Sequence, residues 1–256
     1  MKVSIITATY NSAKTIVDTI LSVNKQNYDD IEHIIIDGGS KDNTLELIKS
    51  KPNRVTKIVS ESDKGIYDAM NKGIAITTGD IIGILNSDDF YISTDVITFV
   101  VNEMQQKDLD AVYGDLEYVD EEDTDKVVRY WKSKYYKAGL FKKGWHPAHP
   151  TFFVKKEVYN KYGNFNLKYK IGADYEIMLR FIEKNKIKVG YIPKTLVRMR
   201  VGGASNQSIK NIIKANKECY KAWKDNGLSV SPFILLFITL SRKAVNVFAI
   251  FLPACY

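Results

Sequence analysis

Acidic and hydroxyl-bearing residues gather at four places in the first part of the chain, each directly after a short apolar run. The clusters are Ala8-Thr9-Tyr10-Asn11, Asp37-Gly38-Gly39-Ser40, Ser60–Asp68 and Asn86-Ser87-Asp88-Asp89. Asp88 and Asp89 carry the sharpest signal, because they follow the apolar run Ile81–Leu85. Two adjacent carboxylates beside hydrophobic packing repel unless something neutralises them. Oxygen donors of this kind suit Mg²⁺ or Mn²⁺, hard ions that keep waters and bridge to substrate phosphates. The competing reading is an N-cap for a helix near residue 95. Any one cluster alone reads as a turn or a cap. Four on one edge of a sheet exceed what loop composition requires.

A common edge follows from the elements between the clusters. Val3–Thr7, Glu32–Asp37, Thr56–Ser60 and Ile81–Leu85 read as strands rich in β-branched residues. Thr15–Gln26, Asp42–Ser50 and Tyr67–Ile76 read as helices between them, with Ile16, Ile20 and Val23 on one face of the first. Strands alternating with helices predict an α/β fold with a parallel sheet and right-handed crossovers. Ligands of such sheets bind at the carboxyl ends of the strands.

After residue 107 the pattern changes. Ala111–Val119 and Val127–Trp131 read as paired strands around the acidic loop Asp120–Asp125, followed by the basic, aromatic stretch Arg129–Trp145. A strand is predicted at Thr151–Val154, a helix near Tyr175–Glu183, and two strands at Val189–Ile192 and Leu196–Arg200.

The chain has 256 residues, 45% hydrophobic and 26% charged, which places it among globular proteins with an ample core. Its two cysteines, Cys219 and Cys255, cannot build a disulfide framework and suit a reducing compartment. The start lacks the charge and apolar length of a secretory signal, so a cytoplasmic protein is expected. The net charge of +7 is concentrated at the end. Residues 205–256 carry +5, leaving +2 for the body, which therefore need not bind nucleic acid. Residues 206–226 read as a helix with Lys210, Lys214, Lys217, Lys221 and Lys224 on one face. Ile209, Ile212, Ile213, Tyr220 and Trp223 lie largely on another. The apolar runs after Pro232 are too short to span a bilayer. They predict either a membrane-surface segment or a helix packed on the body with its lysines in water.

TATYN, IIIDGGSKDNT, SESDKGIYDAMNKGIAITTGD and LNSDD resemble family 2 glycosyltransferases of the GT-A fold, closest to bacterial polysaccharide, O-antigen and colanic-acid-type enzymes. The likeness is strong over residues 2–100. It continues more weakly through HPTFF, GADYEIMLR and RVGGAS to about residue 205. It implies a mixed, mainly parallel sheet flanked by helices. A GT-A domain would span 1–205, with a nucleotide-sugar half at 1–107 and an acceptor half at 108–205. A basic, apolar extension follows at 206–256.

By that resemblance Thr7, Thr9, Tyr10, Asn11 and Asp37 would hold the nucleobase and ribose. Asp63, Lys64, Asp68 and Asn71 would approach the nucleotide and sugar. Asn86, Ser87 and Asp88 would complete the donor site, with Asp88 the metal ligand and Asp89 in support. Asn86 stands where the family's Asp-x-Asp motif has its first Asp, which removes a charge. A carboxylate at Asp37 could accept the N3–H of uracil, favouring a uridine nucleotide, although thymine offers the same edge.

The resemblance implies an inverting, metal-dependent transfer in which Asp174 deprotonates the acceptor hydroxyl. Glu176 is the fallback base, and a cap for its own helix is the structural alternative for Asp174. His149 is a candidate at the acceptor site and His146 a weaker one. Arg200, and Arg198 beside it, could pair with the leaving pyrophosphate, and Gly202-Gly203-Ala204-Ser205 could form a close turn or a mobile lid. The expected acceptor is a saccharide, lipid-linked, at the inner face of the membrane. A sugar-phosphate nucleotidyltransferase and a non-catalytic nucleotide-sugar-binding subunit are the alternatives. Gly139–Gly144 has P-loop spacing, but Trp145 stands where the lysine should be. No GxGxxG opens the first helix, which argues against a dinucleotide oxidoreductase.

Overall fold

The structure, a computed structural model, describes residues 1–202 and 209–230. Val3–Thr9 (β1), Ile31–Asp37 (β2), Val55–Ser60 (β3) and Ile81–Ile84 (β4) form strands where β-branched residues run together. β1 pairs in parallel with both β2 and β4, and β2 with β3. The register sets Thr9 beside Asp37 and Asp37 beside Ser60, so the predicted clusters share one edge. Every residue of β1 and β2 is buried, which requires cover on both faces.

Helices Ile16–Asn24 (α1), Thr44–Ser50 (α2), Ile66–Ile76 (α3) and Val96–Gln106 (α4) supply cover for this part of the sheet. Ile6, Ile34 and Ile36 point one way, onto Ala69, Met70 and Ile74 of α3. Val3 and Ile5 point the other way, into a core shared with Val23 of α1 and with Val96, Val100 and Met104 of α4. Ile35 meets Ile16, Ile20 and Ile48. Gly73 lets α3 approach closely, since a Cβ there would lie 2.5 Å from the Ile6 side chain.

The second half extends the same sheet. Asp89–Tyr91 (β5), Ala111–Val119 (β6), Val127–Trp131 (β7), Phe153–Lys155 (β8) and Val189–Arg200 (β9) complete it among the described residues. The order is β3-β2-β1-β4-β8-β6-β9-β5, with β7 paired to β6. β6 and β9 are parallel, while β4/β8, β6/β8, β6/β7 and β5/β9 are antiparallel. The mixed, mainly parallel sheet flanked by helices matches the fold expectation.

The two strands expected at 189–192 and 196–200 are one. Pro193 has no N–H for the ladder, and the β6/β9 register shifts between Tyr113 and Leu116 to absorb it. Lys156–Tyr162 (α5) and β5 were not anticipated. Ala173–Met178 (α6) continues as a wider π-helical turn through Leu179–Lys184.

The last described helix, Ile209–Asp225 (α7), packs on α6. Among its described side chains Ala222 and Trp223 are buried, and the Trp223 indole donates to the Tyr175 hydroxyl at 2.9 Å. Ile213, expected on the packed face, is half exposed, while Lys214, Lys217, Lys221 and Lys224 face water. No helix among the described residues is long and apolar enough to cross a membrane. The apolar segment after Pro232 and the turn Gly203–Ser205 lie outside the described residues.

Candidate active site at the strand ends

The loops after β1, β2 and β3 meet around Gly38. A Cβ at Gly38 would stand 2.6 Å from Asp63 Oδ2 and 3.3 Å from the Tyr10 ring. The missing side chain is what lets the Asp63 carboxylate sit beside Tyr10. Tyr10 is 59% exposed, an aromatic face open to a planar ligand. Asp63 Oδ1 accepts the Gly65 N–H at 2.8 Å, and its other oxygen points to the space beside Gly38.

Other residues of the expected nucleotide set build these loops instead of lining them. Asp37 is fully buried, and both its oxygens are taken: Ser40 N–H and hydroxyl, Gly39 N–H and Ser60 hydroxyl all donate to it. This corrects the expectation that it accepts a uracil N–H. Asn11 takes a left-handed φ of 50°, which Asn tolerates, and its Oδ1 accepts the Lys41 N–H. Thr7 is buried against the His33 ring at 3.0 Å, and burial pushes that imidazole down to about 3. Thr9 is buried at the strand end. Asp68 accepts the Lys64 N–H at 3.0 Å and shapes the entry to α3, while the Lys64 side chain is exposed. Asn71 exchanges two hydrogen bonds with the Phe165 backbone, both 2.9 Å, tying α3 to the second half.

The Asn86–Asp89 turn leads from β4 into β5. Ser87 meets Ser12 of the first loop at 2.8 Å. Asp88 is half-buried; burial raises its carboxyl above the ordinary range, and the Arg200 charge opposes this. Asp89 is fully buried; burial and then the Asp88 charge hold it well above that range. Asn86 Nδ2 donates to Asp89 Oδ2 at 3.1 Å, while Asn86 Oδ1 and Asp89 Oδ1 are buried with no protein donor. This donor set fits a hard divalent ion: two mutually repelling carboxylates with spare buried oxygen atoms. No group of three or more His, Cys, Asp or Glu side chains converges among the described residues. Such an ion would rest on one or two carboxylates, with water and substrate phosphate completing its shell.

Arg200 is not open to a pyrophosphate. Its side chain is buried beneath this turn, donating to the Asp88 carbonyl at 2.8 Å and to the Asp18 carboxylate. Arg198 is likewise committed, to Glu117 at 3.0 Å and Asp125 at 3.6 Å. These contacts correct the phosphate role expected of both.

Asp174, at the start of α6, approaches from the second half. The Tyr67 hydroxyl donates to the Ile171 carbonyl at 2.5 Å and reaches Asp174 Oδ1 at 3.3 Å. Burial and the Asp174 charge raise the Tyr67 phenol, so it stays a donor. Glu176 faces away: it is buried, bonded to Arg180 at 3.0 Å and to Asn226 at 3.0 Å. It is therefore no fallback base. His149 packs edge-on against Phe165; burial lowers its imidazole and the Asp174 charge opposes this. The His146 ring lies between Trp131 and Tyr175.

Tyr118 was not anticipated. The register sets it beside Met199, which in turn stands beside Asp89. Its phenol is raised first by burial, with the charges of Asp89 and Asp174 adding to this and Arg129, stacked 4.0 Å over the ring, opposing it. One hydroxyl thus feels both the metal-motif carboxylate and the carboxylate of α6. The only signal for it in the sequence was its place in a strand between acidic loops.

The profile described as "Glycosyl transferase family 2" matches residues 4–163, well over half of the chain. The chain belongs to glycosyltransferase family 2. The glycosyltransferase is 28% identical over 215 residues to a PGL/p-HBAD biosynthesis glycosyltransferase of Mycobacterium bovis, spanning 79% of this chain and 78% of that one. It is 34% identical over 124 residues to the glycosyltransferase GlyG of Streptococcus pneumoniae, spanning 47% of this chain and 41% of that one.

Among solved structures, S. aureus TarS 1-349 in complex with UDP-GlcNAc superimposes with a TM-score of 0.67 at 15% identity, over 93% of this chain and 70% of that one. A mannosyltransferase from Pyrobaculum calidifontis, in complex with GDP-Man and Mn2+, gives 0.64 at 18% identity, over 94% and 68%. These likenesses establish the GT-A fold of the glycosyltransferase. Closeness to O-antigen or colanic-acid enzymes is not what the relatives single out.

Proposed function

We propose that this glycosyltransferase moves a sugar, with inversion, from a uridine diphosphate donor to a saccharide acceptor. The observation that carries the reading is that the charges of two carboxylates, Asp89 after β4 and Asp174 of α6, both reach the Tyr118 hydroxyl. Donor-phosphate and acceptor-hydroxyl chemistry each call for an acidic group near the reacting sugar. Tyr10 stacks the base and Asp63, in place of Asp37, accepts an N–H from its edge. Asp88, with Asp89 in support, would hold Mg²⁺ or Mn²⁺, which when bound offsets the charge of the diphosphate.

Asp174 takes the proton of the acceptor hydroxyl. The acceptor oxygen forms the new bond at the anomeric carbon as the bond to the diphosphate breaks, and the nucleoside diphosphate departs. The Tyr67 phenol and the start of α6 steady the carboxylate. A shallow groove lined by Lys64, Ile66, Tyr67, Leu167, Tyr169 and Lys170 opens beside this position and suits the acceptor. Its mix of apolar and basic residues supports a lipid-linked saccharide, used in cell-surface polysaccharide synthesis at the inner face of the membrane. Membrane contact through the C-terminal segment, within the proposed extension 206–256, belongs to the same reading. Family membership sets aside the nucleotidyltransferase.

The test pairs two variants. Asp174→Asn should keep donor affinity and lower kcat by orders of magnitude, on the scale of removing a general base. Asp88→Ala should abolish the metal dependence of donor binding. Normal turnover in the first, or unchanged metal-dependent binding in the second, rejects the corresponding role. Donor binding with neither transfer nor hydrolysis in the unaltered protein would favour the non-catalytic subunit.

A further inference from the structure

The segment Tyr169–Gly172 leads directly into α6. Its backbone N–H groups lie outside the helix, and a residue of α7 partners them. Both oxygens of Glu218 lie 3.1 Å from the Lys170 N–H, and Oε2 also accepts from Ile171 and Gly172 at 2.9 Å each. Gly172 fits closely against it: a Cβ there would lie 3.4 Å from Glu218 Cβ.

The same segment has two further ties, one to α3 and one to α7. Tyr67 of α3 donates to the Ile171 carbonyl and reaches Asp174 with the same hydroxyl. The Tyr169 hydroxyl donates to Asp225 of α7 at 2.7 Å. Three successive N–H groups on one carboxylate, and one carbonyl on one phenol, fix the backbone that aims Asp174. Hydrogen bonds to an ionised acceptor are about twice as strong as neutral ones, and one carboxylate has room for several.

We infer that Glu218 is a positioning residue for the reaction: from α7, it sets the backbone from which Asp174 meets the acceptor. The inference rests on the reading of Asp174 as the base. Glu218 itself touches neither reacting group. Glu218→Gln keeps the size and removes the charge. Its amide can satisfy these donors only through one oxygen, while its own N–H₂ opposes them. A misplacement of about 1 Å costs up to roughly 100-fold in rate. The expected loss in kcat is therefore on the order of 10–100-fold, with donor affinity unchanged because the Glu218 hydrogen bonds run to the Lys170–Gly172 backbone and not to Tyr10, Asp63 or Asp88.

Glu218→Gln, Asp174→Asn and the double variant are to be compared well below their melting temperatures. The assays are saturating transfer kinetics and calorimetric binding of uridine diphosphate. The expected result is a kcat-specific loss in Glu218→Gln and a double variant no slower than Asp174→Asn alone. Wild-type kcat in Glu218→Gln beside an inactive Asp174→Asn overturns the positioning role and leaves the base in place. Normal turnover in Asp174→Asn overturns the base instead. Equal losses of kcat and donor affinity in Glu218→Gln would mark a general structural role and also overturn the inference. Should Glu218→Gln fail to fold, Glu218→Asp, which keeps the charge and shortens the reach, must show the same kcat-specific loss; wild-type kcat in it overturns the role.

Discussion

Replacing Arg200 by Met removes a buried cation from beneath the Asp88-Asp89 turn while keeping most of the apolar stem. The guanidinium is almost fully covered, donates to the Asp88 carbonyl at 2.8 Å and to Asp18, and stacks 5.1 Å from the Phe90 ring centre. The charged bond to the carbonyl is worth about 1.5–3 kcal/mol. The Asp18 side chain is 52% exposed and regains water, so that pair adds only about 0–1 kcal/mol. The stacking adds roughly 0.5–1 kcal/mol. A loss near 3 kcal/mol lowers Tm by about 6–12 °C for a domain of this size. The site should respond as well, because Arg200 opposes the upward shift of both Asp88 and Asp89. Without it both carboxyls titrate higher. The pH midpoint of Mn²⁺-dependent uridine diphosphate binding should then move up, measured by calorimetry from about pH 5 to about pH 8, across the range where raised carboxyls titrate. Arg200→Lys should recover part of the Tm. A Tm within about 2 °C of the parent, a small fraction of the calculated shift, together with an unmoved binding profile, would refute the reasoning.

Gly38→Ala places a methyl 2.6 Å from the present position of Asp63 Oδ2 and forces that carboxylate away. Uridine diphosphate affinity should fall by roughly 10-fold, about 1.4 kcal/mol, with kcat at saturation retained; unchanged affinity would remove Asp63 from the base site. Glu32 is a separate, structural case. Burial raises its carboxyl, but bonds from Ser4, the Thr78 backbone and hydroxyl, and Lys2 overcome this and hold it at about 2. A value below the ordinary ~4.3 means the stabilisation is complete above that pH and disappears as pH falls through about 2. It amounts to at most about 3 kcal/mol. Glu32→Gln should therefore lose stability at neutral pH and show a flatter decline between about pH 5 and about pH 2; parallel acid denaturation curves for variant and parent would contradict this. His33, held at about 3 by burial, accounts for decline in the higher window as pH falls from about 6.5.

Much of the fold was legible because its determinants are local. Isoleucine-rich runs separated by amphipathic helices gave β1, β2, β4 and α1 within a residue or three of their ends. Pro193 misled, because the bulge that accommodates it is a property of the β6/β9 pairing and not of the segment. The site was legible as a set of loops but not as a set of contacts. Asp37 stands in the motif, yet its oxygens are used by Ser40 and Ser60. Arg200 has the right charge beside a glycine-rich turn, yet tertiary burial turns it inward. Glu218 is 46 positions from Gly172, in a helix whose lysines dominate its pattern. Only the docking of α7 on α6 discloses what that carboxylate does.

The most direct measurement is a crystal structure of the enzyme with an unhydrolysed uridine diphosphate sugar and Mn²⁺. Expected density places the base against Tyr10 with Asp63 at its edge, the diphosphate on the ion at Asp88, and the anomeric carbon facing Asp174. A nucleotide seated away from Asp63 and Asp88, or a sugar turned from Asp174 with the ion elsewhere, would contradict the proposed chemistry at its centre.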